Sequence, residues 1–245
     1  MTTPILSLKN ISKRFGGLLA VNGVHIDIMP GETVGLIGPN GAGKTTLVSL
    51  ISGTLTPTTG DIVFQGQNIT ALPAFERARL GIGRTFQIMK PFPGLTVLDN
   101  VAVGALYGTT TTNKALSQAR DEAMEWLSRM DLQSKAHQRA EELGGPDRKR
   151  LELAKAMAMK PTLLLLDEVM AGLNLVEIDE VIEAIKVVRE TGISILVIEH
   201  MMKVIQSLSD RLLVLHHGQQ IMAGTPQEVL NDARVIEAYL GKRRV

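Results

Sequence analysis

One ten-residue stretch constrains this chain more than any other: GPNGAGKTTL at 38–47, directly after the apolar run Thr33–Ile37. Gly38, Gly43, Lys44 and Thr45 fit the spacing G-x-x-x-x-G-K-[ST]. The glycines let the backbone wrap a phosphate with its N–H groups turned inward. A helix starting near Gly43 aims its N-terminal dipole at the same charge. Lys44 can reach terminal phosphates, and Thr45 can ligate Mg²⁺. The competing reading is a glycine-rich strand-to-helix turn with no ligand. The strand before and the helix after weigh against it.

LLLLDE at 163–168 supplies a second element. An apolar strand ending in Asp167 sets a carboxylate at the carboxyl edge of a sheet, where α/β proteins hold ligands. Asp167 can enter a Mg²⁺ shell, and Glu168 can polarise an attacking water. Alone, such a strand end is weak evidence. Beside a phosphate loop it is strong.

Hydrophobic periodicity organises the rest. Residues 5–11 and 21–28 read as antiparallel strands, 33–37 as a buried strand and 44–53 as a helix. Residues 61–69 read as a strand and a turn, and 73–80, 96–106 and 114–130 as helices. The polar run 108–113 is a loop. After a helix at 148–159, strands at 163–167, 193–198, 211–216 and 219–223 alternate with helices at 176–190 and 201–208, and helices cover 226–240. That alternation predicts a largely parallel sheet with helices on both faces. The helices of 96–159 predict a subdomain inserted into the α/β core.

Composition removes other classes. Lys and Arg total 26 against 25 Asp and Glu, so no global basic field points to nucleic acid. Aromatics are only 3%, too few for base-stacking platforms. There is no cysteine, hence no disulfide frame or thiolate metal site. No secretory signal is read at the start, and no apolar run nears the roughly 20 residues of a membrane span.

Taken together, these motifs resemble the ATP-binding cassette family over nearly the whole chain, and in the family's order. The resemblance implies a P-loop NTPase of α/β class, with a mainly parallel core sheet, an antiparallel β subdomain and an inserted helical subdomain. It is read as one domain over 1–245, with a nucleotide-binding core at 1–87 and 160–245 and the helical part at 88–159. It implies ATP and Mg²⁺ as cofactors. Phe15 in SKRFGGLLAV falls where the family stacks an aromatic on adenine, with Val21 beside it. Residues Asn40, Gly41, Ala42 and Thr46 join Gly38, Gly43, Lys44 and Thr45 around the phosphates. Gln87 in GRTFQ matches the glutamine that contacts Mg²⁺ and water and faces the membrane subunit. His200 in VIEH matches the γ-phosphate histidine, so Glu168, His200 and Gln87 form the implied catalytic set. Ala171, Gly172, Leu173 and Asn174 match the loop that crosses to the partner cassette.

Within the family, KRFGGLLAVNGV, GIGRTFQ, LLDEVMAGLN, VIEHMM and DARVIEAYLGK are similar to ATPases of branched-chain amino-acid uptake systems, and the 88–145 segment resembles their larger ATPase. The resemblance implies two permease subunits, a second and different cassette, and indirectly an extracytoplasmic solute-binding protein, but no nucleic acid. It implies a peripheral place on the cytoplasmic face of the inner membrane. Ile88, Met89, Phe92 and Leu95 read either as a permease-docking surface or as plain core. Related importers also take urea, amides or aromatic acids. A soluble cassette ATPase outside transport is the alternative.

One departure stands out. The family signature L-S-G-G-Q aligns here with Leu143, Gly144, Gly145, Pro146 and Asp147. Gly144 lacks the hydroxyl that would meet a γ-phosphate, and Pro146 has no N–H to offer. Asp147 brings negative charge towards a polyanion, which Arg148, Lys149 and Arg150 can offset. Pro146 is acceptable in a helix's first turn. Either the drifted signature still works, or this chain contributes one weak half-site and pairs with a paralogue, a homodimer being the alternative.

Overall fold

The computed structural model describes residues 3–85, 91–108 and 114–240. It divides into two compact units, Met1–Arg77 with Ser194–Val245, and Ala78–Ile193.

The first unit opens with β1 (Leu6–Phe15) and β2 (Leu18–Ile28), an antiparallel hairpin. Leu6, Leu8 and Ile11 on β1 and Val24, Ile26 and Ile28 on β2 are buried, the period-two pattern of a half-covered sheet. β4 (Thr59–Phe64) and the short β5 (Gln67–Asn68) extend this sheet, in the order β2-β1-β4-β5. β3 (Thr33–Ile37) is buried at every residue. It lies parallel to both β8 (Ser194–Ile198) and β9 (Arg211–His216), with Leu36 opposite Ile198 and Ile37 opposite Val214. Runs of apolar residues without alternation are what strands covered on both faces require. β10 (Gln219–Gly224) closes the edge antiparallel to β9, the exception to the parallel expectation. A tight turn at 217–218 explains it, because two residues cannot make a parallel crossover.

Helices α1 (Lys44–Ile51), α7 (Met202–Leu208), α8 (Pro226–Leu230) and α9 (Ala233–Leu240) belong to this unit. Arg77, in α2 (Ala74–Leu80), is only 1% exposed. It donates to the carbonyls of Leu50 and Ile51 at 2.6 and 2.9 Å, and to those of Leu72 and Thr70, both at 2.9 Å. Its cation therefore meets the C-terminal carbonyls of α1, where the helix dipole is negative. Burial lowers its pKa to about 10, so it stays charged at neutral pH.

The second unit pairs β6 (Ile82–Arg84) with β7 (Leu163–Asp167) in parallel and carries α3 (Val97–Tyr107), α4 (Leu116–Arg129), α5 (Gly145–Ala158) and α6 (Leu175–Arg189). α6 buries Ile178, Val181, Ile182, Ile185 and Val188, the stripe its periodicity predicts. Among the described residues, no helix is long and apolar enough to cross a membrane.

Candidate nucleotide site

In the first unit, three parallel strand ends converge. β3 runs into the loop 38–43, β8 into Glu199 and His200, and β9 into His216. The register sets Ile37 and Ile198 at the same sheet edge, so His200 emerges beside the loop's strand; it is exposed. The loop's shape demands its glycines. Gly38, Gly41 and Gly43 have φ of 149°, 79° and 102°. A Cβ on Gly38 would lie 2.1 Å from the Leu215 carbonyl oxygen, and one on Gly43 2.4 Å from that of Ala20. The loop is stitched by Ala42 N–H to the Pro39 oxygen and by Gly218 N–H to the Ala42 oxygen, at 3.1 and 3.0 Å.

Lys44 is 5% exposed, and its ammonium donates to the carbonyls of Gly38 and Pro39 at 2.7 and 3.0 Å. The cation is thus held over the loop rather than extended into solvent. Thr45 and Thr46 follow it in the first turn of α1, whose N-terminal amides face the same loop. β2 passes beneath, bringing Ala20 and the fully buried Val21 against Gly43. Phe15 closes the β1–β2 hairpin opposite Leu18 and is 44% exposed, with the Lys13 ammonium 5.2 Å from its ring centre. A concave run of amides, a lysine and hydroxyls, with an exposed aromatic on the flanking hairpin, is a donor set suited to a nucleotide polyphosphate.

In the second unit, β7 ends at Asp167, 3% exposed, whose Oδ2 accepts from Arg84 Nη2 at 2.9 Å. The parallel pairing of β6 and β7 puts Arg84 there. Arg84 escaped the sequence reading because a three-residue strand containing a glycine has no periodicity of its own. Glu168 has φ 50°, a left-handed backbone that costs a non-glycine residue about 1 kcal/mol. Such strain collects at functional positions. Gln87 lies outside the described residues, as do Ile88 and Met89.

The segment 143–147 is a helix start. Leu143 is buried, Gly144 is the N-cap of α5, and Pro146 and Asp147 lie in its first turn. The helix begins three residues earlier than its periodicity suggests, since proline at that point removes only a donor with no intrahelical partner. Asp147 is salt-bridged to Lys135 and lies 3.5 Å from Arg150. Arg148 turns instead to the Glu141 carbonyl at 2.7 Å. A Cβ on Gly145 would sit 3.3 Å from Leu173 Cδ2, so the signature segment and the loop 171–174 abut. Asn174 caps α6, accepting from Val176 and Glu177 N–H, while Glu177 accepts from Asn174 N–H. Leu175 and Val176, next in line, are 68% and 71% exposed. Periodicity places Val176 at the start of a helix and gives Leu175 no role; neither is marked by a motif. Phe92 is also exposed, at 44%, with its N–H on Asn100 Oδ1.

A glycine-demanding phosphate loop on a buried parallel strand defines a P-loop nucleotide-binding protein. Comparison with known proteins makes this specific. The profile described as "ABC transporter" matches residues 21–171, and the chain belongs to that family. A second, described as "Branched-chain amino acid ATP-binding cassette transporter", matches 219–245. The high-affinity branched-chain amino acid transport ATP-binding protein LivG of Escherichia coli K12 is 41% identical, over 99% of this chain and all of that one. The lipopolysaccharide export system ATP-binding protein LptB of Acidithiobacillus ferridurans is 35% identical, over 97% of each. Among solved structures, a nucleotide-free cassette from an ABC transporter superposes with TM-score 0.88 at 30% identity, covering 98% of this chain and all of that one. A dimeric cassette bound to ADP and phosphate gives 0.80 at 25% identity, covering 90% and 98%.

Proposed function

We propose that this chain hydrolyses MgATP to energise uptake of branched-chain amino acids, or of a closely related small solute. The observation that carries the reading is the 41% identity to LivG across essentially both full lengths, joined to the separate match at 219–245. Similarity to an export ATPase is lower, at 35%. The chain sits on two permease subunits at the cytoplasmic face of the inner membrane, served outside by a solute-binding protein. The exposed Phe92 supports a docking role for the stretch after Gln87. The exposed Leu175 and Val176, beside Ala171–Asn174, support a second cassette packing there.

Roles follow from chemistry. Bound Mg²⁺ would screen the phosphates and bind through Thr45, Asp167 and Gln87. The Arg84 bond orients the Asp167 carboxyl, as second-sphere partners of a metal ligand do. Glu168 orients and deprotonates water, His200 meets the γ-phosphate, and Phe15 stacks on adenine with Val21 below. Lys44 and the amides of 38–46 bind the polyphosphate. Residues 143–147 approach the nucleotide of the opposite cassette. The helical subdomain 88–159 carries the permease surface, and the core 1–87 with 160–245 carries the chemistry.

The test is uptake of radiolabelled leucine in a deletion strain. The wild-type gene should restore it, and Glu168→Gln should not, with turnover down at least ~100-fold in the assembled transporter. Full leucine uptake in the deletion strain would reject the substrate class. Near-normal turnover by Glu168→Gln would remove Glu168 from its role.

A further inference from the structure

Gly38 is held from two sides. Its carbonyl accepts the Lys44 ammonium at 2.7 Å, and its N–H donates to the Tyr239 hydroxyl, also at 2.7 Å. The second bond joins residues 201 positions apart, from the end of β3 to the last turn of α9. We propose that Tyr239 is a positioning residue for nucleotide binding. It fixes the first glycine of the phosphate loop, and through that glycine's carbonyl it fixes Lys44.

Gly38 has little other freedom. Its φ is 149° and the Leu215 oxygen would lie 2.1 Å from a Cβ built there, so its backbone is closely packed on that side, and the motion that matters for the loop is rotation of the flanking peptide. A peptide carries its N–H and the preceding carbonyl as one plane, so a bond at the Gly38 N–H resists that rotation. The Gly38 oxygen, which accepts from Lys44, lies in the next peptide plane and is joined to the restrained one through the Gly38 α-carbon. The tyrosine ring is 38% exposed, so burying the ring is not its main contribution. Its polar tip makes the directed contact. Burial raises the Tyr239 pKa above the ordinary phenol value, and the hydroxyl oxygen has the lone pairs to accept the Gly38 N–H.

α9 is seated well enough to act as the anchor. Val235, one turn before Tyr239 on the same face, is 3% exposed. Asp232 opens the helix, accepting from Arg234 N–H at 2.8 Å. Arg234 Nη2 reaches Met222 Sδ of β10 at 3.6 Å. The C-terminal helix is thus tied to the sheet edge at one end and to the phosphate loop at the other. The inference rests on residues 38–46 being the nucleotide site.

The experiment uses full-length Tyr239→Phe, which removes one oxygen and keeps the ring. The Gly38 amide should exchange hydrogen at least ~10-fold faster, and the MgATP dissociation constant should rise roughly 3- to 10-fold, the scale of one lost hydrogen bond. An unchanged dissociation constant overturns the proposal, whether or not Gly38 exchange or the melting temperature moves. So does unchanged Gly38 exchange, because the effect would then not pass through that bond. Failure of the wild-type chain to bind MgATP at all would instead reject the reading of the loop, and so separates the two.

Discussion

The phosphate loop and the signature segment look alike on paper, each a glycine-rich run opening a helix, but their glycines exist for different reasons. At 38–43 the backbone demands them: positive φ at Gly38, Gly41 and Gly43, and main-chain oxygens 2.1 and 2.4 Å from any added Cβ at Gly38 and Gly43. At 144 nothing lies within 4 Å of an added Cβ, and φ is an ordinary −70°. The first loop is glycine-rich because of the chain's own fold. The second has no such internal reason at Gly144.

That contrast can be broken at its strong end. Gly43→Ala should force strain of roughly 2–4 kcal/mol into the loop. MgATP affinity should fall on the order of 100-fold, read by calorimetry on the purified chain. Normal affinity would mean that the loop deforms cheaply and that its shape is not what the glycines protect.

An intermediate effect is expected at Asp147. It lies in the first turn of α5, where the dipole favours an anion, and it pairs with Lys135 and Arg150. Asp147→Asn should lower stability by about 0.5–1 kcal/mol in urea unfolding. A gain in stability would show that the charge is held at a cost to the fold. From the sequence, Asp147 faces a polyanion with Arg148, Lys149 and Arg150 as the offsetting charges, and of these Arg150 meets it. Its nearest opposite charges include Lys135, twelve residues upstream, which no local pattern announces.

The smallest change is expected at Gly144. It caps α5 without a side-chain bond, in a backbone conformation that suits serine. Gly144→Ser should therefore leave stability unchanged or raise it by a few tenths of a kcal/mol. In the assembled transporter it should strengthen ATP retention at the site opposite, measured as nucleotide occupancy per site. Loss of stability in this variant would reveal a local constraint that the backbone does not display.

What could be read beforehand followed the range of the physics. β3, the loop and α1 were legible because strand, turn and helix are consecutive and each carries its own signal. β7 and the buried stripe of α6 were legible for the same reason. β6 was not, because Ile82–Arg84 is a strand only by pairing with β7, some eighty residues away. The β1–β2 hairpin runs further than its apolar runs, to Phe15 and Leu18, since residues 12–20, exposed or half-buried, are held by ladder bonds rather than burial. In the site, Lys44, Thr45 and Asp167 announced themselves by motif. Arg84 and Tyr239 did not, because each acts through a contact with a residue distant in the chain.

Arg77 carries a consequence for genetics. It touches no phosphate, yet it gathers four backbone carbonyls around one buried cation at the far end of the phosphate-loop helix. Lysine cannot replace it, having three donors on a single point where the guanidinium spreads five across a plane. Alleles lost at this codon would score with Lys44 alleles in any screen for failed uptake. Their origin would differ: a Lys44 allele leaves a normal amount of inert protein, whereas an Arg77 allele depletes the protein itself through quality control.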